Sequence, residues 1–327
     1  MVIAEKALIA QIRTLSARRK NPAIHTGIGD DCAVLRLSPR SGERNDTLVT
    51  TDFTLEGIHF RREWHSPESI GHRCLTRGLS DIAAMGGKPV AVFLSLALPP
   101  GLEQSWVHRF SRSLIHLAEE NDVNLAGGDT AESPAGILAD IIVLGIVPRG
   151  KAILRSGARP GDLIYVSGEL GGSAAAFQRM RIKPKHKLDV SQYPRHFFPE
   201  ARIELGIMLR EKKLASAMID ISDGLSTDLA HICDESTVGA ELLAEAIPRA
   251  KPGSSRKEVE LDLALHGGED YELLFTARPG KRIPSLMAGV PITQIGRITR
   301  GRKIFLCGSD GRRAELLPQG WEHFHKH

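Results

Sequence analysis

The feature that most constrains this chain is a glycine-rich turn that carries two adjacent carboxylates, Gly27-Ile28-Gly29-Asp30-Asp31. Glycine has no Cβ and reaches backbone conformations closed to other residues, so a ligand can approach the main chain closely. Neighbouring aspartates repel each other unless positive charge lies between them. Taken alone, the pair is also compatible with a solvated turn, in which aspartate and glycine are common. The recurrence of similar acids at the ends of other apolar segments favours a ligand site.

Most of these acids stand beside Gly, Ser or Thr at the end of a predicted strand or helix. Two like charges about 4 Å apart cost about 1 kcal/mol in water and several times more near a protein interior. Divalent cations would relieve that repulsion, and an oxygen-only ligand set suits Mg²⁺, whereas no His/Cys cluster has zinc-ligand spacing. The seven acids are Asp30, Asp31, Asp52, Asp81, Asp129, Asp220 and Asp223.

Several magnesium ions among carboxylates predict a heavily anionic substrate, such as a nucleoside triphosphate. The glycines of three segments, Gly27-Ile28-Gly29, Gly127-Gly128 and Gly267-Gly268, are candidates to offer backbone N–H groups to phosphate oxygens. The sequence contains neither a G-x-x-x-x-G-K-[ST] segment nor the kinase motifs H-R-D and D-F-G. A phosphoryl-transfer enzyme with this sequence would therefore belong to neither large class.

The order of apolar segments predicts two α/β domains, since strands and helices alternate along the chain and 327 residues suffice for two domains. Arg, Gly and Pro crowd together over residues 148–161, which predicts a boundary between domains at 1–150 and 151–327. We expect an amphipathic helix within Met1–Lys20 and a helix over Pro67–Met85. We also expect a strand over Leu48–Asp52 ending at the acid, a strand over Val123–Ala126 followed by a glycine turn, and a closing hairpin of Pro291–Ile298 and Lys303–Leu306.

Charge and cysteine content exclude several classes of partner. The balance of 43 basic and 39 acidic residues, a net charge of +4, is too even to predict nucleic-acid binding. No apolar stretch reaches the ~18 residues of a membrane span, and the N-terminus lacks the order of a signal peptide. The four cysteines form no C-x-x-C pair, so we expect reduced thiols, a cytoplasmic location and no membrane partner.

Six motifs occur in the order and spacing typical of thiamine-monophosphate kinases, and the similarity extends from about residue 27 to residue 324. One such motif would be weak evidence, but six in order are highly specific. The chain therefore resembles that family, which belongs to the aminoimidazole-ribonucleotide synthetase superfamily. The motifs are Gly27-Ile28-Gly29-Asp30-Asp31-Cys32-Ala33, Thr50-Thr51-Asp52, Leu79-Ser80-Asp81-Ile82-Ala83-Ala84-Met85-Gly86, Gly127-Gly128-Asp129-Thr130, Ile221-Ser222-Asp223-Gly224-Leu225 and Gly267-Gly268-Glu269-Asp270-Tyr271-Glu272-Leu273.

The resemblance implies an α/β (α+β), two-domain PurM-like fold, in which the N-terminal domain binds ATP and magnesium and dimerises into a shared barrel. It implies a homodimer that uses ATP and several Mg²⁺ ions to convert thiamine monophosphate into thiamine diphosphate by in-line phosphoryl transfer. Two alternatives stay open: another ATP-using synthetase of the superfamily, forming an amidine or selenophosphate, and a catalytically lapsed nucleotide- and metal-binding module. We find no N-terminal reactive Cys of the kind selenophosphate synthesis would need, and the full set of acids argues against lapse.

Matched position by position, the resemblance also implies a role for each site residue. Taken singly, several have ordinary explanations; Asp223, for example, precedes Gly224 and suits a helix cap. One departure stands out, since the family often has Asn where this chain has Gly78, which removes a possible hydrogen bond near Asp81. The implied catalytic residues are Asp52, Asp81 and Arg155; the ATP contacts are Gly128, Asp129, Arg155 and Ser222; the thiamine phosphate contacts are His59, Glu269 and Trp321, whose indole suits a cationic thiazolium; and the metal ligands are Asp31, Thr50, Thr51, Asp52, Asp81, Asp129, Asp220 and Asp223, with Asp30 beside Asp31 or a metal-bound water.

Overall fold

The computed structural model describes residues 4–16, 21–37, 44–183, 188–254 and 257–323. Strands up to residue 148 form one β-sheet and strands from residue 163 onward form a second, which confirms the expected two-domain α/β architecture. None of the helices in these ranges is long and apolar enough to cross a lipid bilayer.

The first sheet has six strands in the order β1-β2-β3-β6-β4-β5. Its neighbours pair antiparallel except for β4 and β5, which run parallel. Two helices, α2 and α3, pack against it, and Leu79 and Ile82 of α2 are fully buried with Ile141 and Val143 of β6. The elements are β1 (Ile24–Thr26), β2 (Ala33–Leu35), β3 (Asn45–Leu55), β4 (Lys88–Leu98), β5 (Asn124–Glu132), β6 (Leu138–Pro148), α2 (Pro67–Ala84) and α3 (Gln104–Glu120).

Helix α2 joins the two halves of the molecule. The Ser66 hydroxyl caps it by accepting a 3.2 Å hydrogen bond from the Ser69 N–H, and Pro67 occupies the first turn. The helix packs on β3 and β6 of the first sheet, and on helix α6 (Ile203–Glu211) and strand β8 (Ala217–Asp220) of the second half. Gly78 faces the sheet, because a Cβ there would lie 2.5 Å from Cγ2 of Val143. Its lack of a side chain therefore permits close packing of helix on sheet.

The second sheet has the order β14-β13-β9-β12-β7-β10-β8, with β11 paired to β12. Both faces are covered: Ile219 of β8 packs towards α7, whereas Met218 packs on the opposite face with Leu205 and Leu209 of α6. The elements are β7 (Leu163–Ser167), α4 (Gly172–Ile182), α5 (Pro194–Phe197), α6 (Ile203–Glu211), β8 (Ala217–Asp220), α7 (Leu225–Ser236), β9 (Gly239–Leu243), α8 (Leu261–His266), β10 (Leu273–Ala277), β11 (Leu286–Met287), β12 (Val290–Thr299), β13 (Ile304–Cys307) and β14 (Arg313–Glu315).

Three expectations about strands are wrong. Strand β3 continues to Leu55, so Asp52 lies inside it; because β2 pairs with β3 only as far as Val49, Asp52 has a strand neighbour on one side. Residues 127 and 128 lie within β5, opposite Phe93 and Leu94 of β4, instead of in a turn. The closing hairpin is absent, because β9 lies between β12 and β13 and pairs with both.

The N-terminal helix, α1, spans Glu5–Ser16, and the ends of the predicted segment, 1–3 and 17–20, lie outside the described residues. None of its side chains is buried: Ile12 and Leu15 are 47% and 50% exposed. Two polar contacts connect it to the body of the protein: the Arg13 guanidinium donates to Glu235 at 2.6 Å, and Glu5 accepts from the backbone N–H of His323 at 2.7 Å. Amphipathicity thus predicted the helix but not its packing.

Candidate active site

Three carboxylates from distant parts of the chain meet between the two halves of the molecule. Carboxylate oxygens of Asp31, Asp81 and Asp220 lie within 4.8 Å of one another. Asp31 follows the glycine turn, Asp81 lies on α2, and Asp220 ends β8. The central acids of the predicted constellation are therefore brought together.

Asp31 is held on one side and open on the other. Its Oδ1 accepts hydrogen bonds from Nη2 and Nε of Arg155 at 2.7 and 3.2 Å. Its Oδ2 is buried and has no hydrogen-bond partner among the described residues. Burial raises the pKa of Asp31 against the opposing charge of Arg155. An unpartnered oxygen on a carboxylate that lies close to two others marks a place where a cation would be stabilised.

Asp30 supports this turn without joining the three-carboxylate group. It accepts from the backbone N–H of Arg155 at 3.2 Å and from that of Asp31 at 3.2 Å. Burial, reinforced by the charge of Asp31, raises its pKa to about 7. The adjacent Gly29 has φ of +122°, and the guanidinium of Arg13 lies 2.7 Å from where its Cβ would be, so the turn requires glycine.

Hydroxyl groups orient the other two carboxylates. The Thr50 hydroxyl donates to Oδ2 of Asp81, and the Ser80 hydroxyl donates to Oδ2 of Asp220 at 2.6 Å. Burial raises the pKa of Asp81 well above its usual range, and the charges of Asp52, Asp220 and Asp31 add to the shift. Burial likewise raises the pKa of Asp220 to about 7. The cluster therefore favours either protons or a bound cation.

Asp52 lies at the edge of this cluster and is paired with an arginine. It accepts hydrogen bonds from Nη2 and Nε of Arg77 at 3.2 and 3.4 Å. Arg77 also donates from Nη1 to Glu269 at 3.5 Å, and Arg73 donates to the other oxygen of Glu269 at 2.6 Å. Despite its burial, the charges of Arg73 and Arg77 lower the pKa of Glu269 to about 2. An ionic chain therefore joins Asp52 to Glu269.

The loop that carries Glu269 has a left-handed backbone at two non-glycine residues, Glu269 with φ of +64° and Tyr271 with φ of +52°. Backbone hydrogen bonds hold it there, from Glu269 N–H to the Ser222 carbonyl at 2.7 Å and from Tyr271 N–H to the Ile221 carbonyl at 2.9 Å. Gly268 permits the approach, because a Cβ there would lie 2.5 Å from the Ser222 carbonyl oxygen. Conformations of this kind cost of order 1 kcal/mol each and concentrate at functional sites.

The three residues expected to contact thiamine phosphate lie near one another. The His59 ring stands edge-on to His323 at 5.7 Å between centroids, and Trp321 contacts the same His323 ring at 5.7 Å. The Arg73 that binds Glu269 also donates to the His59 carbonyl oxygen at 3.3 Å. The backbone N–H of Trp321 donates to the Asp223 carbonyl oxygen at 3.0 Å, which joins this region to the acids.

Asp223 belongs to a second group that sequence reasoning missed. Ligand atoms of Asp223, Asp228 and His231 lie within 4.8 Å of one another at the start of α7. Asp228 accepts from the backbone N–H groups of Asp223 and Gly224 at 3.2 and 2.9 Å, so it fixes this turn. Burial raises the pKa of Asp223 to about 6 and lowers that of His231 to about 3. The signal available was spacing: residues 228 and 231 stand one helical turn apart.

Three predicted residues lie apart from the cluster. Thr51 has its side chain on the opposite face of β3 from Asp52, where its hydroxyl donates to Asp140 at 2.7 Å. Gly128 and Asp129 lie on the edge strand β5, which β4 and β6 separate from β3. Three strand spacings amount to about 14 Å. Gly128 and Asp129 are therefore separated from Asp52 by about that distance.

Comparison with known proteins gives a consistent family. The models of AIR synthase related protein, N-terminal domain and C-terminal domain, match residues 29–147 and 159–307. The chain is 38% identical over 335 aligned positions to the thiamine-monophosphate kinase of Escherichia coli (strain K12), covering 99% of each chain. The solved structure described as AaThiL complexed with AMPPCP and TMP superposes with a TM-score of 0.84 at 32% identity, covering 99% of each chain. The thiamine-monophosphate kinase from Stenotrophomonas maltophilia K279a gives 0.73 at 36% identity, covering 96% of this chain and 99% of that one.

Proposed function

Since the chain belongs to the thiamine-monophosphate kinase family of AIR synthase related proteins, we infer that it transfers the γ-phosphoryl group of ATP to thiamine monophosphate. The products are thiamine diphosphate and ADP. The observation that carries this conclusion for the molecule itself is the convergence of Asp31, Asp81 and Asp220 beside Asp52 and the Glu269 loop. Sequence identity of 37–38% over the full length of two thiamine-monophosphate kinases favours this activity over that of another synthetase of the superfamily or of a lapsed binding module.

The acid cluster suits magnesium. It offers only oxygen ligands, its carboxylates lie close together, and Oδ2 of Asp31 is buried without a hydrogen-bond partner among the described residues. When bound there, magnesium would supply positive charge to the phosphate oxygens between donor and acceptor. We propose that the magnesium ligands are Asp31, Thr50, Asp52, Asp81 and Asp220. We propose that Asp223 holds a further ion. Thr51 and Asp129 would contribute as ligands in the dimer described below.

The chain's own residues then have mainly positioning and electrostatic tasks. The acceptor is a phosphate monoester oxygen that is mostly ionised near neutral pH, because its second pKa is about 6, so no strong general base is required. Arg155 adds positive charge beside Asp31 and we propose that, with Ser222, it also contacts ATP. His59, Glu269 and Trp321 would hold the thiamine moiety, with Trp321 stacking on the thiazolium. Asp52, Asp81 and Arg155 are the residues on which turnover should depend most.

We propose that the active form is a homodimer whose first sheets close into a barrel. Every residue of the edge strand β5 is exposed, and the same sheet exposes Phe53 at 54% and Leu125 at 37%. An open edge beside exposed apolar side chains is a surface that proteins normally cover. In such a dimer, Gly128 and Asp129 would complete the nucleotide site of the other subunit. The described cysteines are all free thiols, which supports the proposed cytoplasmic location.

The activity is tested by coupled ADP release with thiamine monophosphate, ATP and magnesium, with thiamine diphosphate identified by chromatography. We expect turnover with magnesium and none after chelation. Asp52→Ala and Asp81→Ala should each abolish turnover while leaving the protein folded and dimeric. Wild-type turnover in either variant, or ADP release without thiamine diphosphate, would contradict the assignment.

The shared site is tested by mixing two inactive variants, Asp52→Ala and Asp129→Ala. If Asp129 serves the opposite subunit, each mixed dimer regains one intact site, and random mixing restores about a quarter of wild-type activity. If both residues serve the same subunit, the mixture stays inactive. Mixing Asp52→Ala with Asp81→Ala is the matched control, because these residues share one subunit and should restore nothing.

A further inference from the structure

Arg77 stands between the two ends of the site and has no role in the assignments above. Its guanidinium contacts Asp52 at 3.2 Å, Glu269 at 3.5 Å and the Tyr271 hydroxyl at 3.3 Å. Its side chain is 16% exposed, so part of the side chain is open to solvent. It therefore reaches both the metal end and the thiamine end of the proposed site.

The contacts of Arg77 are long for ionic hydrogen bonds. Charge-assisted N–H···O bonds normally measure about 2.7–2.9 Å, whereas the bond from Arg73 to Glu269 is short, at 2.6 Å. Arg73 is also bound by the carbonyl oxygens of His196 and His59, and it is 4% exposed. Arg73 is thus fixed and already satisfies Glu269, whereas Arg77 is shared loosely among three acceptors. A shorter bond to an incoming anion would compete well with these contacts.

The local charges are balanced only while no ligand is bound. Asp52 and Glu269 face Arg73 and Arg77, so two negative groups meet two positive ones. A divalent cation on Asp52, as proposed above, would neutralise that carboxylate without the guanidinium. One positive charge is then in excess, and it belongs to Arg77. The phosphate ester of the acceptor must lie between Glu269 and Asp52, because it connects a thiamine held near Glu269 to the metal site near Asp52.

We propose that Arg77 binds the acceptor phosphate of thiamine monophosphate and thereby selects the phosphorylated substrate over free thiamine. This inference rests on the proposed function. The planar fork of a guanidinium suits a phosphate, to which it donates two parallel hydrogen bonds. Helix α2 places Arg77 one turn before Asp81, so the same helix would position a ligand of the cation and a ligand of the acceptor.

The test is calorimetric titration of thiamine monophosphate and of thiamine into magnesium-loaded protein without nucleotide. We expect Arg77→Gln to weaken thiamine monophosphate binding about 10- to 100-fold, the usual worth of an ionic hydrogen bond, and to leave thiamine binding unchanged within about twofold. Arg77→Lys should lose less, because it keeps the charge but not the fork. Arg109→Gln, which removes an exposed arginine paired with Glu68, is the control and should change neither affinity.

Equal losses for both ligands would overturn the proposal, because Arg77 would then only maintain the shape of the Glu269 loop. Unchanged binding of thiamine monophosphate would overturn it as well. If Arg77→Gln does not fold, Arg77→Lys decides by the same comparison: a loss confined to the phosphorylated ligand supports the proposal, and no loss or an equal loss refutes it. Wild-type protein that neither binds nor phosphorylates thiamine monophosphate would refute the proposed function itself, which is a distinguishable outcome.

Discussion

Replacing Asp220 by asparagine should stabilise the metal-free protein while destroying its activity. Asp220 is 2% exposed and accepts a 2.6 Å hydrogen bond from Ser80, which asparagine can retain through its carbonyl oxygen. Burial next to Asp31 raises the pKa of Asp220 from 3.8 to about 7. The folded protein therefore holds a proton that the unfolded chain has already released.

The sign and size of the effect follow from this difference. Between about pH 4 and pH 7 the unfolded state binds fewer protons at Asp220, so the free energy of unfolding falls as pH rises through this window. Three pKa units at 1.36 kcal/mol each give a loss of up to about 4 kcal/mol above pH 7. Asparagine does not titrate and removes this loss. The free energy of unfolding of Asp220→Asn should therefore exceed that of the wild type by up to about 4 kcal/mol at about pH 8, and by only about 1 kcal/mol at about pH 4.5.

Urea denaturation in chelator at these two pH values measures the effect, and repeating it with magnesium tests the cause. Magnesium should stabilise the wild type more than Asp220→Asn, since the variant lacks one ligand. The control is Asp122→Asn, an exposed aspartate with 87% of its side chain accessible, which should shift stability by less than about 0.5 kcal/mol at either pH. If Asp220→Asn were less stable than wild type at about pH 8, or differed equally at both values, the carboxylate-crowding argument would be refuted.

Three other consequences can be checked by the same denaturation assays. Gly78→Asn should lower the free energy of unfolding by about 1–3 kcal/mol, because the added Cβ would collide with Val143. Unchanged stability would show that α2 is not so tightly packed on β6. Without metal, Arg155→Gln should lower the free energy of unfolding by about 3 kcal/mol, because it leaves the charge of Asp31 buried and unpaired. An equal loss of stability in the presence of magnesium would contradict this explanation. His65 and His196, whose Nε2 atoms lie 3.0 Å apart, are both buried. Burial lowers the pKa of His65 to about 4 and lowers that of His196 well below its usual value. As pH drops from 6.5 to about 4, the unfolded chain takes up a proton at His65 before the folded protein does, so the free energy of unfolding should fall by up to about 3 kcal/mol. His65→Gln should reduce this dependence of stability on pH. An unchanged dependence would show that His65 is not its cause.

The site acids could be predicted because each carries a local signature. Asp31 follows a glycine-rich turn, Asp81 follows Ser80, and Asp220 lies two residues before Ser222. Each stands next to an apolar segment, where a charged side chain is seldom placed without a partner. Their convergence, however, depends on packing α2 against β8 across the molecule, which no local pattern encodes. Arg77 was missed for a related reason: on an amphipathic helix a basic residue looks like a solvated one until the opposing loop is known.

The errors in the fold have the same origin. Strand β9 inserts between β12 and β13 through pairing over long sequence separations, so two adjacent apolar segments looked like a hairpin. The glycines at 127 and 128 looked like a turn, yet β5 accommodates them because β4 lies very close: a Cβ on Gly128 would be 1.8 Å from the Leu94 carbonyl oxygen. Local composition predicts which residues can turn, whereas tertiary contacts decide where they do.

The most direct test is an anomalous-scattering map of crystals grown with Mn²⁺ in place of magnesium and with a non-hydrolysable ATP analogue. We predict a peak within coordinating distance of carboxylate oxygens from Asp31, Asp81 and Asp220, since manganese accepts the same oxygen ligands. A protein that is active with Mn²⁺ but whose crystals show no peak among these three side chains would contradict the account.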